Sequence, residues 1–379
     1  MFRNFIDNVK ELRNNLIEGK KNCIPLPFER TSKFIPGIVR GRNVLITANS
    51  GVGKTQITKF MYVFWPFIWC RDNRVKLKGF YFALEESKEE FIASATSFFL
   101  RWYYNISIDI DTLLSMKGVF SDEILQAIEK IEPLMDEFLE TFVIEDNISN
   151  PTGIFKYLKN YAEENGITYY KTKEIDGEEV EIFDRYEQND PEEYRIAVTD
   201  HISLLGQEQG KNLHQVISLF SAEYGRKKLT KRYNYCFVMV QQQSASSEAK
   251  EYNNKGELNY SKLEPSLSDL ADNKFTQRDQ HLVWGLFSPD RYEIPNYKDW
   301  NIHKLQDNFR SLHVLKNRNG RSNIKTSLYF EGDTNFFKEL PYINKNDMGN
   351  KTVLGMPIEK WYQKFKEYKK FWLQSDLFN

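Results

Sequence analysis

Cysteine is scarce in this chain: among 379 residues there are three, Cys23, Cys70 and Cys236, far apart, odd in number and without a CxxC pair. That pattern excludes a disulfide framework and a zinc site, and it points to a reducing compartment. An excess of charge of either sign is also missing, with 52 basic against 53 acidic residues. No global field advertises nucleic acid, so any DNA or RNA contact has to come from a local arrangement of basic loops. Long apolar runs are absent as well. The most apolar window, FMYVFWPFIWC from Phe60 to Cys70, is too short to span a bilayer, carries Pro66, and reads as a buried helix end. The N-terminus mixes acidic and basic residues without a signal-peptide core, so a cytoplasmic protein with no membrane partner is expected. What remains is a chain long enough for one large domain or two, able to bury a substantial core.

The most informative stretch is ANSGVGKT, Ala48 to Thr55, which follows the apolar run Val44-Leu45-Ile46-Thr47 and precedes a helix-competent segment from Thr55 to about Phe64. Strand, tight turn and helix are the context a phosphate-binding loop requires. Gly51 and Gly53 allow the backbone to turn with its N–H groups inward, and the following helix aims its unpaired donors and positive dipole end at the same point. A polyphosphate fits that cradle, formed by Asn49, Ser50, Gly51, Val52, Gly53, Lys54, Thr55 and Gln56. Lys54 is placed to reach the β- and γ-phosphates, and Thr55 to ligate a bridging Mg2+ ion. The loop departs from GxxxxGK[ST] only at Ala48, a small residue that still fits the turn.

Further buried strands read at Lys78–Leu84, Thr141–Glu145, Tyr194–Asp200, Tyr235–Val240 and Asp279–Phe287. The first ends in Glu85-Glu86-Ser87, beyond the carboxyl end of a parallel strand, where a carboxylate is well placed to polarise water. Glu85 takes that role, and Glu86 is expected to favour the first turn of the following helix through its dipole. Asp200 ends another strand and is the candidate holder of the metal, whereas its neighbour His201 is given no role. Gln241-Gln242-Gln243 closes a further strand where an amide could sense the γ-phosphate. Thr168 to Tyr186 forms two polar, aromatic and β-branched runs joined by Asp176-Gly177, a hairpin expected to project from the body. Arg226, Lys227, Lys228, Lys231 and Arg232 read as a solvated helix end. Loops Gly206–Asn212 and Ser244–Glu264 are hydrophilic, and the second is long enough to suggest function. Ser311–Leu315 and Ile324–Glu331 form a hairpin whose tip carries Lys316 and Arg318 on one side of the strand.

Two ends flank this body. Phe2, Phe5, Val9, Leu12 and Leu16 lay a narrow apolar seam along an N-terminal helix, suited to docking on a neighbouring subunit. The tail carries an aromatic stripe, Ile358, Trp361, Phe365, Tyr368 and Trp372, which reads as packing. The expected division is a helix and linker over residues 1–30, a motor over 31–345 with the hairpin insertion at 166–187, and a helical tail over 346–379.

Four signals in order, ANSGVGKT, ALEES (Ala83 to Ser87), AVTDHISLL (Ala197 to Leu205) and LKNRNG (Leu315 to Gly320), resemble the motor of DnaB-type replicative helicases, including phage primase-helicases. The resemblance covers roughly residues 30 to 340 and implies an α/β fold: a RecA-like P-loop NTPase core, with a mostly parallel central sheet flanked by helices, plus the β-hairpin insertion. It implies ATP and Mg2+ as cofactors, Lys54 and Thr55 on phosphates and metal, Glu85 as general base, Asp200 on the metal, and Gln242 as the sensor. Lys316 and Arg318 then reach the nucleotide of the next subunit, which requires a homo-oligomer, by resemblance a hexameric ring. The two hydrophilic loops would line a central channel, with Lys211, Lys250 and Lys255 on single-stranded DNA, and a primase or loader would be a further partner. The implied function is an ATP-dependent DNA helicase. A second class is a RecA-like DNA-binding ATPase that acts as a recombination mediator or switch without unwinding, and a third is a nucleotide-binding structural protein with little turnover. The chain departs from the family's pattern after the sensor, where Gln243-Ser244-Ala245 carry no basic residue, and in the hairpin, which has no counterpart.

Overall fold

The computed structural model describes residues 2–368 apart from 176–177, 253–255, 257 and 347–348. The apolar runs become the strands of one sheet, because the central ones are buried on both faces and their backbone groups can be paired only by neighbouring strands. These strands are β1 (Asn43–Ala48), β2 (Leu77–Ala83), β3 (Phe142–Glu145), β4 (Tyr194–Asp200), β5 (Cys236–Gln242), β6 (Leu282–Phe287), β7 (Phe309–Asn317), β8 (Ile324–Glu331) and β9 (Phe336–Glu339). They lie in the order β9-β8-β7-β6-β1-β5-β4-β2-β3. The six from β6 to β3 run parallel, and β7, β8 and β9 continue the sheet antiparallel. The parallel part puts the carboxyl ends of β1, β2, β4 and β5 along one edge, which is where the site forms.

Alternate residues of each strand feed two cores. Val44, Ile46, Tyr81 and Val198 face one layer, and Leu45, Phe80, Phe82, Ala197 and Met239 face the other. The flanking helices are α1 (Phe2–Ile17), α2 (Lys54–Lys59, continued by Phe60–Phe64 and Trp65–Asn73), α3 (Lys88–Tyr104), α4 (Asp122–Thr141), α5 (Pro151–Glu164), α6 (Leu213–Ser218, continued by Leu219–Thr230) and α7 (Ile358–Tyr368). The first layer is rich in rings: Phe64 of α2 stacks on Phe98 of α3 with centroids 4.5 Å apart, and Phe99 meets Phe138 of α4 at 5.3 Å.

The helix after the phosphate loop does not stop near Phe64, as its sequence suggests. Phe60–Phe64 form a wide, π-type turn, and this widening is what accommodates Pro66, whose ring nitrogen cannot donate to the turn before it. The apolar window is therefore the middle of a helix and not its end. The strand expected from Asp279 starts at Leu282, because Thr276–Asp279 coil into a short helical turn. The basic cluster on α6 is also more engaged than a solvated helix end. Lys228 lies 4.8 Å from the centre of the Phe155 ring, Arg232 lies 4.6 Å from that of Phe183, and Arg226 faces Asp279.

Outside the sheet, arms Gly166–Ile175 and Glu178–Gln188 pair antiparallel as the projecting hairpin, and its expected turn residues Asp176 and Gly177 lie outside the described residues. Its base is anchored: the Tyr186 hydroxyl donates to Ala162 O at 2.7 Å and accepts from buried Arg195, also at 2.7 Å. Ile24, Leu26 and Phe28 are buried in the main core, whereas α1 exposes Phe2, Phe5, Val9, Leu12 and Leu16. Trp361 and Phe365 of α7 are buried, in line with packing, and Trp372 lies outside the described residues.

Candidate nucleotide site

β1 ends at Ala48 and α2 begins at Lys54, so the intervening turn has to reverse the chain within a few residues. Gly51 (φ 71°) and Gly53 (φ 104°) supply the left-handed backbone this needs, and Gly53 is the residue that caps α2. A side chain at Gly53 would also press on the Phe330 ring, 3.3 Å from where its Cβ would lie. Lys54 is 7% exposed, tucked against the turn. Beside it opens a cleft of about 300 Å³ lined by Ser50, Gly51, Gly53, Lys54, Thr55 and Gln56 together with Glu85, Glu86 and Asp200. Residues from three separate strand ends thus meet at one place.

Two members of the expected cradle face inward and stiffen the loop. Asn49 donates to the Tyr292 hydroxyl at 2.7 Å and accepts from the Ser247 hydroxyl at 3.1 Å. The Val52 carbonyl accepts from Nε of Arg310 at 2.7 Å. Arg310 is itself wholly buried, held by Asp307 and by the Phe309 carbonyl, and burial pulls its guanidinium below the ordinary range against the pull of Asp307.

Asp200 ends β4 opposite Ala83 and is 2% exposed. Its Oδ2 accepts from the Tyr81 hydroxyl at 3.0 Å, whereas Oδ1 is buried without a hydrogen-bond partner. Burial pushes its carboxyl above the ordinary value, and the nearby Thr55 and Tyr81 hydroxyls and the Lys54 and Lys59 charges work the other way. An unpartnered carboxylate oxygen facing the phosphate loop suits a hydrated cation. Among the described residues no cluster of three or more His, Cys, Asp or Glu side chains could hold a metal alone, so an ion here would need phosphate oxygens as well as Thr55 and Asp200.

Glu85 projects half exposed into the same cleft, its Oε2 3.6 Å from Nε2 of His201. His201, given no role from sequence, is 5% exposed and follows Asp200 across a cis peptide. Burial and then the Lys54 charge hold its imidazole below the ordinary value. Glu86 does not join the first turn of α3. That helix starts with a Ser87–Glu90 capping box, and Glu86 turns inward to Lys59, Nζ to Oε2 2.6 Å. The reason is electrostatic: Lys59 is buried, and a buried ammonium has to find a counter-charge.

Of the three glutamines at the end of β5 and just beyond it, Gln241 and Gln243 are buried and committed, one to the Asn273 carbonyl at 3.0 Å and the other to Thr47 Oγ1 at 2.8 Å. Gln242 is half-buried and level with Ala48, at the start of the phosphate loop. Lys316 and Arg318 lie elsewhere. Both bond to carbonyls of one short helical turn, Gln277 O and Arg278 O, so they do share a side. Lys316 is level with Leu45 through Val283, and Arg318 N–H bonds to His281 O, whose own N–H bonds to Asn43 O. Arg318 therefore sits at the amino end of β1, roughly 17 Å along the sheet from the loop beyond Ala48 at about 3.3 Å per residue, and Lys316, about 10 Å from it at the level of Leu45, sends its ammonium toward the same end. The structure brings Lys54, Thr55, Glu85, Asp200 and Gln242 to one edge and puts the two cations at the opposite one. Lys211 is exposed on its loop, Lys250 pairs with Glu293 at 3.2 Å, and Lys255 lies outside the described residues.

Sequence reasoning missed Lys59, Tyr81 and Arg310. The available signal was a polar or charged residue at an inward position of an apolar pattern, which needs a partner that only the fold identifies.

The family model for the DnaB-like helicase C-terminal domain matches residues 23–339. No curated protein matches the chain. A solved structure described as an ATPase domain is similar, with TM-score 0.60 and 17% identity, over 88% of this chain and 97% of that one. Another, of a DnaB-like replicative helicase and its interactions with primase, gives TM-score 0.57 and 17% identity over 86% of this chain and 66% of that one. At such identities the likeness is one of fold.

Proposed function

The chain belongs to the DnaB-like helicase C-terminal domain family, and from that premise we propose that it is an ATP-dependent DNA helicase motor, hydrolysing ATP between the subunits of a hexameric ring to move on single-stranded DNA and part the duplex. The observation that carries this reading is the split of its charged residues between two ends of one sheet. The phosphate loop, Glu85 and Asp200 form half a site, and the cations that would complete it stand too far away to serve the same copy.

In this reading the loop N–H groups and Lys54 hold the triphosphate, and Thr55 and Asp200 hold the hydrated magnesium ion. A bound ion would supply neutralisation of the triphosphate's charge there. Glu85 orients the attacking water and accepts its proton, with His201 beside it. Arg318 and Lys316 of a neighbouring copy approach the γ-phosphate, so turnover depends on how the two copies are placed. Gln242 reports the nucleotide's state toward the loop that follows, and the Ser247–Asn49 hydrogen bond is a second tie between that loop and the phosphate loop. Lys211, Lys250 and Lys255 hold the backbone of the strand in the channel. The exposed seam of α1 docks on the adjacent copy, and a primase or loader would act on the assembled ring. Among the described residues no helix is long and apolar enough to cross a membrane, and we place the protein in the cytoplasm.

The test is strand displacement on a forked substrate with ATP, run beside ATP hydrolysis. Wild-type protein should release the labelled strand. Glu85→Gln should still bind ATP while hydrolysis falls by roughly 100-fold or more. Hydrolysis without strand release would favour a DNA-binding switch, and full turnover in the variant would remove Glu85 from the chemistry.

A further inference from the structure

Behind the nucleotide cleft lies a buried polar chain that the reaction as described does not use. Lys59, on the inner face of α2, is 2% exposed, a position that costs several kcal/mol for an unpaired ammonium. Its Nζ donates to Glu86 Oε2 at 2.6 Å and to Ser94 Oγ of α3 at 3.1 Å. The other Glu86 oxygen lies 3.2 Å from the Tyr81 hydroxyl, and that hydroxyl reaches Asp200 Oδ2 at 3.0 Å. The path exists because Tyr81, Ala83 and Asp200 share one face of the sheet: β2 and β4 pair Ala83 with Asp200, and alternation returns Tyr81 to that side. Ala83 is small enough for the Tyr81 ring to pass. The ring packs on Phe91, with centroids 4.6 Å apart, so its direction is fixed independently of the hydroxyl.

We propose that Lys59, Glu86 and Tyr81 are positioning residues that orient Asp200 for the nucleotide-bound metal, tying the helix after the phosphate loop to the carboxylate at the tip of β4. The inference rests on the nucleotide reading of the cleft. One Asp200 oxygen accepts from Tyr81, and this leaves Oδ1 buried without a well-formed hydrogen bond, on a carboxylate that lies beside the Thr55 hydroxyl at the cleft. A carboxylate free to turn would lose that preference. The same tether acts on the neighbouring residue: with Glu86 drawn inward onto Lys59, the adjoining Glu85 projects outward into the cleft. Outer partners of this kind typically change metal affinity 10- to 100-fold when removed.

Tyr81→Phe isolates the effect, because it keeps the ring and its packing and removes only the hydroxyl. A fluorescent ATP analogue is titrated onto the full chain in EDTA and again at increasing magnesium, with thermal unfolding recorded alongside. The expected result is unchanged metal-free binding and a small fall in the midpoint of unfolding, since the buried Asp200 carboxylate loses a donor, with the magnesium concentration for half-maximal tightening raised about tenfold. Glu86→Gln should shift the same magnesium midpoint in the same direction, although its melting temperature is expected to fall further because Lys59 loses its counter-charge. Overlapping magnesium titrations for wild type and Tyr81→Phe would overturn the positioning role. A wild-type protein that binds no analogue at any magnesium concentration would instead overturn the nucleotide reading beneath it.

Discussion

Arg310 shows how a single side chain underwrites the site from outside it. Fully buried, it gives Nε to the Val52 carbonyl and further donors to Asp307 and the Phe309 carbonyl, so the glycine-rich loop is braced by a cation behind it. Arg310→Met keeps most of the volume but leaves those acceptors unpaired. The expected cost is about 2–4 kcal/mol in urea unfolding, accompanied by weaker ATP binding. His281 makes a different prediction. Its Nδ1 accepts the Asn43 N–H at 3.0 Å, and burial, then Arg42, Arg318, Arg226 and Lys316, push its pKa from 6.5 down to about 4. As pH falls below about 6.5 the unfolded chain takes up a proton that the folded imidazole refuses, so stability is lost across the window from 6.5 to about 4 and is unaffected above it. Melting temperatures recorded through that window should fall less steeply for His281→Asn, and parallel profiles would assign the acid sensitivity to other groups.

At the scale of elements, most of what positions the site was legible in the sequence. ANSGVGKT declared strand, turn and helix together, and Tyr194 to Asp200 declared a buried strand ending in an acid, because both depend on local chemistry and periodicity. Glu86 was misjudged for the opposite reason: its partner Lys59 lies 27 residues away, and only the fold makes it a neighbour. The continuation of α2 past Phe64 escaped notice because the wide turn that accommodates Pro66 has no sequence signature as plain as the proline itself. The helix α1 remains the element with the least explained surface, since Phe5 is 58% and Leu12 40% exposed on one seam. Leu12→Asp should leave the melting temperature of the isolated chain within about 2 °C, as expected for an exposed site. The same change should shift the sedimentation profile toward smaller species if that seam is covered by another copy. An unchanged profile would free α1 from any part in assembly.

Across the whole molecule, the sheet separates the two groups of residues that the proposed function brings together between copies. Parallel pairing collects the carboxyl ends of β1, β2, β4 and β5 at one edge, and the antiparallel return of β7 carries Lys316 and Arg318 to the other. In the ring we propose, identical head-to-tail contacts would convert that polarity into complete sites, each built from two faces of the same chain. Lys54→Ala protein lacks a working phosphate loop but still offers Arg318, and Arg318→Ala protein has the reverse defect. ATP hydrolysis by an equimolar mixture of these two inactive variants therefore tests the shared site most directly. Random assembly should restore roughly a quarter of the wild-type rate, since about one interface in four then pairs an intact loop with an intact arginine. A mixture no more active than either variant alone, under conditions where wild type turns over, would contradict it.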